Sequence, residues 1–264
     1  MNGGRLGETV CRMDLGLRGK AAFVTGGSHG IGLAIAEALV AEGASVVVCG
    51  RDRERLAACG VPGVVADVQD PEQLGRAVDE AAERLGGLDL LVANAGGSFG
   101  GGLLESTPQD WADTFALNAG HAAHAIRRAV PHFERRGGGA ALVIASITGW
   151  KAGPRSSYAV AKAAEIHLAA TLAQELGPRN IRVNALSPGS VEFEGGGWAW
   201  VRENRPEEFA RFAREDFPRG RLVTLQEVAD TACFVLSPRA SGISGANVCV
   251  DAAQDHPSSG RFFP

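Results

Sequence analysis

The chain has little aromatic content: one tyrosine, four tryptophans and eleven phenylalanines among 264 residues. No apolar run reaches the roughly 18 residues of a membrane-spanning helix, so we expect no membrane association. The net charge is −4 and basic residues form no stripe, so nucleic acid is not an expected partner. The apolar content of 45% is typical of a globular protein, and the length is enough to bury a sizeable core.

Cysteine is sparse and unpatterned. The five residues make neither a C-x-x-C pair nor a regular ladder of spacings, which favours free thiols and a cytoplasmic location over a disulfide framework. The six histidines make no H-x-x-x-H motif. His121 and His124 lie three residues apart, but no acidic cluster completes a site, so no metal is expected.

Seven short apolar runs predict buried parallel strands. They are Ala21–Thr25, Ser45–Cys49, Val64–Ala66, Leu88–Ala93, Ala140–Ala145, Ile181–Leu186 and Ala246–Val250. Helical spacing predicts helices between them, at about 30–42, 51–59, 71–86, 108–136, 156–177 and 225–237. This alternation predicts an α/β fold with one doubly wound parallel sheet and helices on both faces.

No composition break divides the chain, so residues 15–264 are predicted to form a single domain. Residues 1–14 are polar, glycine-rich and without a period. They lack the layout of a secretory signal, and we expect a loosely ordered N-terminal extension.

A glycine-rich loop, T-G-G-S-H-G-I-G at 25–32, joins the first strand to the first helix. Gly26 permits a tight turn, Gly30 lets the backbone approach a ligand, and Gly32 lets the helix pack near the sheet. The helix N-terminus then offers free N–H groups to a pyrophosphate. The loop predicts dinucleotide binding, with contacts from Gly26, Ser28, His29, Gly30, Ile31 and Gly32.

Two later strand ends carry further candidate cofactor residues. Asp67, followed by Val68, ends the third strand, where a carboxylate could accept a hydrogen bond from an adenine amine. The sequence Asn94-Ala95-Gly96 follows the fourth strand, beside the switch point of the sheet. An ordinary turn would explain the same asparagine and glycine, since both residues favour turns.

The end of the second strand indicates which nicotinamide cofactor is preferred. NAD-binding sites place a carboxylate there for the ribose 2′-hydroxyl, but this strand ends at Gly50 and Arg51 follows. A guanidinium can hold a 2′-phosphate with two hydrogen bonds, and His29 could supply another. We therefore predict a preference for NADP(H), with NAD(H) possible. Two alternatives remain: Asp52 could turn toward the ribose, or Arg51 could belong to a solvated helix.

Ser146, Tyr158 and Lys162 form a candidate proton-transfer set. Ser146 ends the fifth apolar run, while Tyr158 and Lys162 are spaced i and i+4 on a predicted helix and share one face. An ammonium beside a phenol favours the phenolate, so the phenol can exchange a proton near neutral pH. Y-x-x-x-K also occurs by chance on helices, so the spacing does not establish catalysis by itself.

Residues 192–220 interrupt the alternation of strands and helices. The segment is rich in aromatic side chains and begins with the glycines 195–197. It follows the carboxyl end of a strand, where ligands bind in such sheets, and this favours a lid over a pocket. A surface helix that packs its own apolar face is the alternative.

Together these motifs resemble the short-chain dehydrogenase/reductase family, in its branch of about 250 residues. The resemblance extends from Leu15 to Asp251. Its motifs are the glycine loop at 25–32, Asp67-Val68, the N-A-G at 94–96, Asn118, Ser146, Tyr158 to Lys162, and Asn184 through Pro188-Gly189. The resemblance implies a Rossmann-type domain with a seven-stranded sheet, assembled as a homotetramer or homodimer.

The resemblance also implies roles for individual residues. Tyr158 would be the general acid and base, and Ser146 would hold the substrate oxygen. Lys162 would bind the nicotinamide ribose, and Asn118 would steady a water molecule that relays protons to Lys162. Near the nicotinamide, contacts are expected from Pro188, Gly189 and Val191.

The chain departs from the family pattern at two places. Twelve residues separate Ser146 from Tyr158 instead of the commoner thirteen, which implies a shorter loop beside the substrate. Phe193 stands where many members have a threonine that contacts the carboxamide, so that contact would depend on backbone near Val191.

The substrate pocket is predicted from position and side-chain type. Aromatic side chains around it favour a largely apolar substrate, cyclic or aromatic. The expected lining residues are Ser98, Phe99, Ile147, Trp150, Gly189, Trp198 and Trp200.

Three functions remain in competition. The first is an NADP(H)-dependent oxidoreductase that interconverts a small-molecule carbonyl and a secondary alcohol. The second is a reductase of 3-oxoacyl thioesters on an acyl carrier; its candidate carrier-binding patch is Arg127, Arg128, Arg135 and Arg136, which a solvated helix face explains equally well. The third is a catalytically silent nucleotide sensor, although such relatives typically lose the tyrosine or the lysine.

Overall fold

A computed structural model describes residues 13–153 and 155–255. The strands are β1 (Ala21–Thr25), β2 (Ser45–Gly50), β3 (Gly63–Val65), β4 (Leu90–Ala93), β5 (Gly139–Ile144), β6 (Ile181–Pro188), β7 (Val191–Glu192), β8 (Val223–Thr224) and β9 (Asn247–Val250). The helices are α1 (Gly30–Ala41), α2 (Arg53–Ala58), α3 (Pro71–Leu85), α4 (Pro108–Phe115), α5 (His121–Arg135), α6 (Ser156–Leu176), α7 (Gly197–Asn204), α8 (Pro206–Asp216) and α9 (Leu225–Leu236).

Seven strands form one sheet in the order β3-β2-β1-β4-β5-β6-β9, and each neighbouring pair is parallel. This confirms the predicted α/β class and the doubly wound seven-stranded sheet. The order reverses between β1 and β4, so the loops that follow these two strands flank a crevice at the carboxyl edge.

The sheet has an apolar core on each face. On one face, Phe23, Leu91 and Phe133 belong to a buried cluster that includes residues of α3, α5 and α6. On the other face, Val24, Ile35 and other buried side chains join α1 and α9 to the sheet. Because both faces are covered, the central strands read as continuous apolar runs in the sequence.

The predicted helix at 108–136 is interrupted. A π-helical turn at Ala116–Gly120 separates α4 from α5 and carries Asn118. The predicted second helix is also shorter than 51–59, because the Asp52 carboxylate accepts bonds from the backbone N–H groups of Glu54 and Arg55 and caps α2.

The segment at 192–220 folds as the two helices α7 and α8. They are bracketed by β7 and β8, which pair in parallel as a separate two-stranded sheet that the sequence did not predict. Both the single-domain and the lid assignments remain predictions. Residues 1–12 of the predicted N-terminal extension lie outside the described residues.

Within residues 13–153 and 155–255, no helix is long and apolar enough to cross a membrane. The same residues contain no group of three or more histidine, cysteine, aspartate or glutamate side chains arranged to hold a metal ion.

The start of α9 provides a test of local stability. Thr224 and Glu227 form a capping box: each side chain accepts a hydrogen bond from the other residue's backbone N–H. Thr224→Ala removes one half of the box, so we expect the free energy of unfolding to fall by about 1 kcal/mol. Urea denaturation followed by circular dichroism measures this change.

Gln226→Ala is the matched control, because Gln226 is exposed on the same helix and bonds only to Asp230 among the described groups. It should change the free energy of unfolding by less than about 0.5 kcal/mol. Equal losses in the two variants would contradict the capping assignment.

Candidate active site

The glycine loop forms an open cradle at the start of α1. Gly26 and Gly30 have φ values of 62° and 56°, a left-handed conformation that favours glycine. At Gly32, a Cβ atom would lie 2.4 Å from the Gly26 carbonyl oxygen and from the Asn94 amide nitrogen. No side chain caps the helix at His29, so the first N–H groups of α1 can bind an anion.

Asn94 connects the cradle to β4. Its Nδ2 group donates to the carbonyl oxygens of Thr25 (3.0 Å) and Gly26 (3.1 Å), and the Asn94 backbone N–H donates to Thr25 Oγ1 (2.9 Å). The Ala95 N–H donates to the same hydroxyl oxygen at 3.1 Å. Asn94 and Ala95 of the predicted N-A-G motif therefore fix the loop that precedes α1.

His121 lies below this junction and is buried. Its Nδ1 lies 2.7 Å from the Leu117 carbonyl oxygen and its Nε2 lies 3.2 Å from Thr25 Oγ1. A carbonyl only accepts, so we assign the proton to Nδ1, and the Thr25 hydroxyl donates to Nε2. Burial, with the positive charge of Lys162, lowers the pKa of His121 to about 4, so the ring is neutral at neutral pH.

A cavity of about 320 Å³ opens beside the cradle at the ends of β2 and β3. Arg51 and Arg55 line it, and Arg51 Nη1 lies 3.9 Å from Asp67 Oδ2. Asp52 also lines it, but its carboxylate is already bonded as the cap of α2. The remaining lining residues are Gly26, Ser28, His29, Gly50, Ala66, Val68, Asn94, Ala95, Gly96 and Leu117.

Arg55 is a site residue that the sequence reading missed. It stands four residues after Arg51, and this spacing within the predicted helix at 51–59 was the available signal. Its Nε lies 3.3 Å from Asp52 Oδ2, so the same carboxylate that caps α2 also contacts this guanidinium. The cavity therefore has two arginine side chains on one wall.

Tyr158 and Lys162 lie on α6, as the spacing predicts. Lys162 is buried; its Nζ donates to the Ile144 carbonyl oxygen at 2.8 Å and lies 5.5 Å from the centre of the Tyr158 ring. Burial alone would lower the pKa of Lys162, but the charge of Glu165, together with Tyr158, raises it overall. The ammonium is therefore charged and adjacent to the phenol ring.

Ser146 emerges at the end of β5 with its oxygen already engaged. The Thr148 backbone N–H (3.2 Å) and the Thr148 hydroxyl (2.9 Å) both donate to Ser146 Oγ. With both lone pairs engaged, the remaining capacity of this hydroxyl is its own hydrogen. Ser146 is thus set to donate a hydrogen bond to a substrate oxygen.

Asn118 is buried in the π-helical turn, close to Lys162. Its Nδ2 donates to the carbonyl oxygens of Thr114 (2.6 Å) and Gly97 (2.7 Å). A Cβ atom on Gly96 would lie 2.7 Å from Asn118 Oδ1 and 3.1 Å from Lys162 Nζ. The two side chains therefore converge on the backbone at Gly96.

Phe193 closes the other side of the cradle. Its ring lies edge-on to His29, with ring centres 5.3 Å apart, and a Cβ atom on Gly30 would lie 3.1 Å from it. A threonine at this position could not cover the glycine loop in this way, because it lacks a ring. The phenylalanine that departs from the family pattern therefore packs against the predicted cofactor loop.

The last described residues fasten three loops of this edge. The Ser190 N–H, two residues after Pro188, donates to Gln254 Oε1 at 2.8 Å. Lys151, in the loop after Ser146, bonds the Gln254 carbonyl oxygen and lies 3.0 Å from Asp251 Oδ2. The Asp255 N–H donates to the Asp216 carbonyl oxygen at the end of α8.

The predicted substrate residues have different surroundings. Ser98 Oγ accepts a bond from Arg155 at 3.0 Å, which joins the loop after β4 to the start of α6. Ile147 is buried, whereas Trp150 and Trp200 are half-exposed and Phe99 is 37% exposed.

Trp198 has different surroundings from Trp200. Its ring is 8% exposed and stacks on Phe212 at 4.6 Å between ring centres, inside an apolar cluster of α7 and α8 that also holds Val201, Phe217 and Leu222. The ring face that stacks on Phe212 is covered by that side chain, and a substrate contact of Trp198 remains a prediction. The sequence predicted that Trp198 and Trp200 both line the pocket, because the glycines before α7 give no helical period from which to tell which ring faces inward.

A family described as enoyl-(acyl carrier protein) reductase matches residues 26–252. Among curated proteins, human dehydrogenase/reductase SDR family member 4 is 35% identical over 89% of this chain and 87% of its own length. The 3-oxoacyl-[acyl-carrier-protein] reductase FabG of Thermotoga maritima is 31% identical, over 89% of this chain and 97% of its own.

Solved structures give the same result for the fold. L-sorbose reductase from Gluconobacter frateurii, in complex with NADPH and L-sorbose, superposes with a TM-score of 0.84 at 32% identity, covering 92% of this chain and 99% of that one. A 7α-hydroxysteroid dehydrogenase in complex with NADH and 7-oxoglycochenodeoxycholic acid has a TM-score of 0.82 at 30% identity, covering 93% and 97%.

The two tryptophans of α7 form a matched pair of variants. Trp198→Ala deletes a buried ring, so we expect the free energy of unfolding to fall by about 3 kcal/mol and cleavage by protease within 192–220 to accelerate. Trp200→Ala removes a half-exposed ring and should change stability by less than about 1 kcal/mol. Urea denaturation and limited proteolysis measure both, and equal effects would contradict the packing of Trp198.

Proposed function

The chain is an enzyme of the short-chain dehydrogenase/reductase family, and from that premise we propose that it transfers a hydride between NADP(H) and a carbonyl or secondary-alcohol substrate. The observation that carries this proposal is the buried Lys162 ammonium, which lies 5.5 Å from the centre of the Tyr158 ring and donates to the Ile144 carbonyl oxygen on β5, the strand that leads to Ser146. The nicotinamide, when bound, gives or takes the hydride, and the protein's own residues orient the substrate and move the proton.

Tyr158 supplies the proton during carbonyl reduction. Ser146 donates a hydrogen bond to the same substrate oxygen, since its own oxygen is occupied by Thr148. The ammonium of Lys162 stabilises the phenolate that Tyr158 becomes after it gives up the proton. In the alcohol-oxidation direction, these roles run in reverse.

The residues around the cradle fit a dinucleotide. The uncapped N-terminus of α1 suits the pyrophosphate. Lys162 would hold the nicotinamide ribose, with Asn118 ordering a water molecule beside it. Toward the nicotinamide itself, the contacts are proposed for Pro188, Gly189 and the backbone of Val191.

The preference for NADP(H) rests on charge at the end of β2. Gly50 has no side chain, Arg51 and Arg55 line the cavity, and the Asp52 carboxylate is engaged as a helix cap. Two guanidinium groups would attract a 2′-phosphate, and the Asp52 carboxylate is directed to the N–H groups at the start of α2. NAD(H) remains a possible second cofactor.

Reduction of a 3-oxoacyl thioester on an acyl carrier is the second candidate. Its support is the description of the matching family and the similarity to the Thermotoga protein. The proposed carrier patch is weakened because Arg128 is paired with Asp79 and Arg136 with Asp89. The silent-sensor alternative is weakened by the presence of Ser146, Tyr158 and Lys162 together.

An absorbance assay separates the three functions. Purified protein is mixed with NADPH and either a panel of cyclic and aromatic ketones or a 3-oxoacyl thioester, and loss of nicotinamide absorbance is followed. Turnover of ketones alone supports the first function, and faster turnover of the thioester supports the second. Binding of NADPH without turnover of any substrate would support the sensor.

We also propose the oligomeric state and the cellular location of the protein. A homodimer or homotetramer follows from the family. We propose a cytoplasmic location on the support of the thiols, of which Cys49, Cys59, Cys233 and Cys249 are free in the described part of the chain.

Tyr158→Phe tests the proton donor. The change removes one oxygen, and general acid catalysis contributes about 10²–10⁴-fold, so kcat should fall by at least about a hundredfold while the Kd for NADPH stays within about twofold. Lys162→Ala should lower kcat and also weaken the binding of NADPH, since the ammonium both stabilises the phenolate and holds the nicotinamide ribose. Stopped-flow turnover and fluorescence titration measure them; a Tyr158→Phe variant with more than a third of wild-type kcat would contradict the role.

Arg51→Ala tests the cofactor preference. A charge-assisted hydrogen bond contributes about 1.5–3 kcal/mol, so kcat/KM should fall about tenfold or more with NADPH and little with NADH. Arg53→Ala is the matched control, because Arg53 is an exposed arginine two residues away, at the start of α2, and does not line the cavity. A wild type that prefers NADH, or equal losses with both cofactors, would contradict the assignment.

A further inference from the structure

Glu165 is a buried carboxyl group next to the proposed catalytic pair. It lies on α6 seven residues after Tyr158 and three after Lys162, so the three side chains follow one face of the helix. Its relative exposure is 0%. The roles proposed above for Ser146, Tyr158, Lys162 and Asn118 make no use of it.

The carboxylate has a single charged partner among the described residues. Oε2 lies 2.9 Å from Lys162 Nζ, and neither oxygen accepts a well-formed hydrogen bond from any group in that part of the chain. Lys162 Nζ also donates to the Ile144 carbonyl oxygen at 2.8 Å, at the end of β5. The ammonium is thus held between a carboxylate and a strand end.

Burying the Glu165 carboxylate in this way costs folding free energy, so it is a poor means of stabilising the fold. A buried carboxylate with one ion-pair partner and unsatisfied lone pairs is often less favourable than an apolar side chain of similar volume. Burial raises the pKa of Glu165 to about 7 despite the nearby ammonium, so about half of this group is ionised at neutral pH. Its position against Lys162 therefore indicates a role in the site.

We propose that Glu165 is a positioning residue that holds the Lys162 ammonium against the end of β5 and, when ionised, cancels part of its field at Tyr158. Tyr158 then keeps its proton to higher pH and serves as an acid, which suits carbonyl reduction. This inference rests on the proposed function, because it assigns Tyr158 the proton that the reaction moves.

Other charged groups around the pair are few. His121 of α5 faces Lys162 and is neutral near pH 7, because its pKa lies at about 4. From α4, Asp110 and Asp113 accept bonds within their own helix, from Thr107 and Gln109. His167, on α6 itself, is exposed on another face of the helix.

The strands that pack on α6 add only neutral side chains near this pair. On β6, Asn184 and Ser187 are uncharged, and Arg182 bonds the carbonyl oxygens at the carboxyl end of α9. The part of β5 that contacts Lys162 is the Ile144 carbonyl. Glu165 is therefore the acidic group that acts on Lys162 in this region of the described structure.

The single tyrosine makes the proposal measurable without turnover. Tyr158 is the only source of tyrosinate absorbance in the chain, so an alkaline ultraviolet titration of the cofactor-free protein reports on that residue alone, with Tyr158→Phe as the blank. Seven helical residues span about 10 Å, and one unit charge at that distance shifts the pKa of a titrating group by about one unit.

Glu165→Gln keeps the shape and removes the charge, so its tyrosinate midpoint should fall by about one pH unit relative to wild type. Glu165→Leu, which replaces the carboxyl with an apolar group, should shift in the same direction. Glu175→Gln is the matched control, a glutamate exposed on the same helix, and should leave the midpoint unchanged. Circular dichroism checks the fold of each variant.

A Glu165→Gln or Glu165→Leu variant with a native circular dichroism spectrum and the wild-type midpoint would overturn the proposal. If neither variant regains the native spectrum, Glu165 is a structural residue and the proposal is equally overturned. Absence of turnover with every ketone would instead reject the proposed function, while the titration would still report the effect of Glu165 on Tyr158.

Discussion

The candidate site depends on the junction between the ends of β1 and β4. There the Asn94 amide donates to two successive carbonyl oxygens of the glycine loop, and Thr25 Oγ1 accepts from two successive N–H groups that follow β4. These bonds tie the loop that precedes α1 to the start of the loop that follows β4. The N-terminus of α1 keeps its free donors because no side chain caps the helix at His29.

Much of this arrangement could be predicted from the sequence, because the signals are local. Each of these signals lies at a strand end or on one helix, where the spacing of residues fixes the direction in which their side chains point. The signals are the glycine loop, Asn94 and the Tyr158–Lys162 pair. The strands were found as apolar runs because helices cover both faces of the sheet. The family assignment is likewise confirmed by the comparisons.

What could not be predicted depends on contacts between distant segments. The π-helical turn at Ala116–Gly120 breaks a continuous helical pattern without any proline or glycine at its start. Pairing of β7 with β8 requires two residues at each end of an insertion to meet. The burial of Trp198 depends on α8 folding back onto α7, and that packing leaves no periodic signal in so short a helix.

The bonds from Asp251, Gln254 and Asp255 affect the order in which parts of the structure form while the chain is synthesised. A nascent chain emerges from the ribosome from its N-terminus, so the glycine loop, β4 and α6 are available well before these residues. Until they arrive, Ser190 and Lys151 lack the partners that fix their loops. The loop before α1 can therefore form its bonds to β4 early in synthesis, whereas the loops of Ser190 and Lys151 are fixed only after the residues that follow β9 have been made.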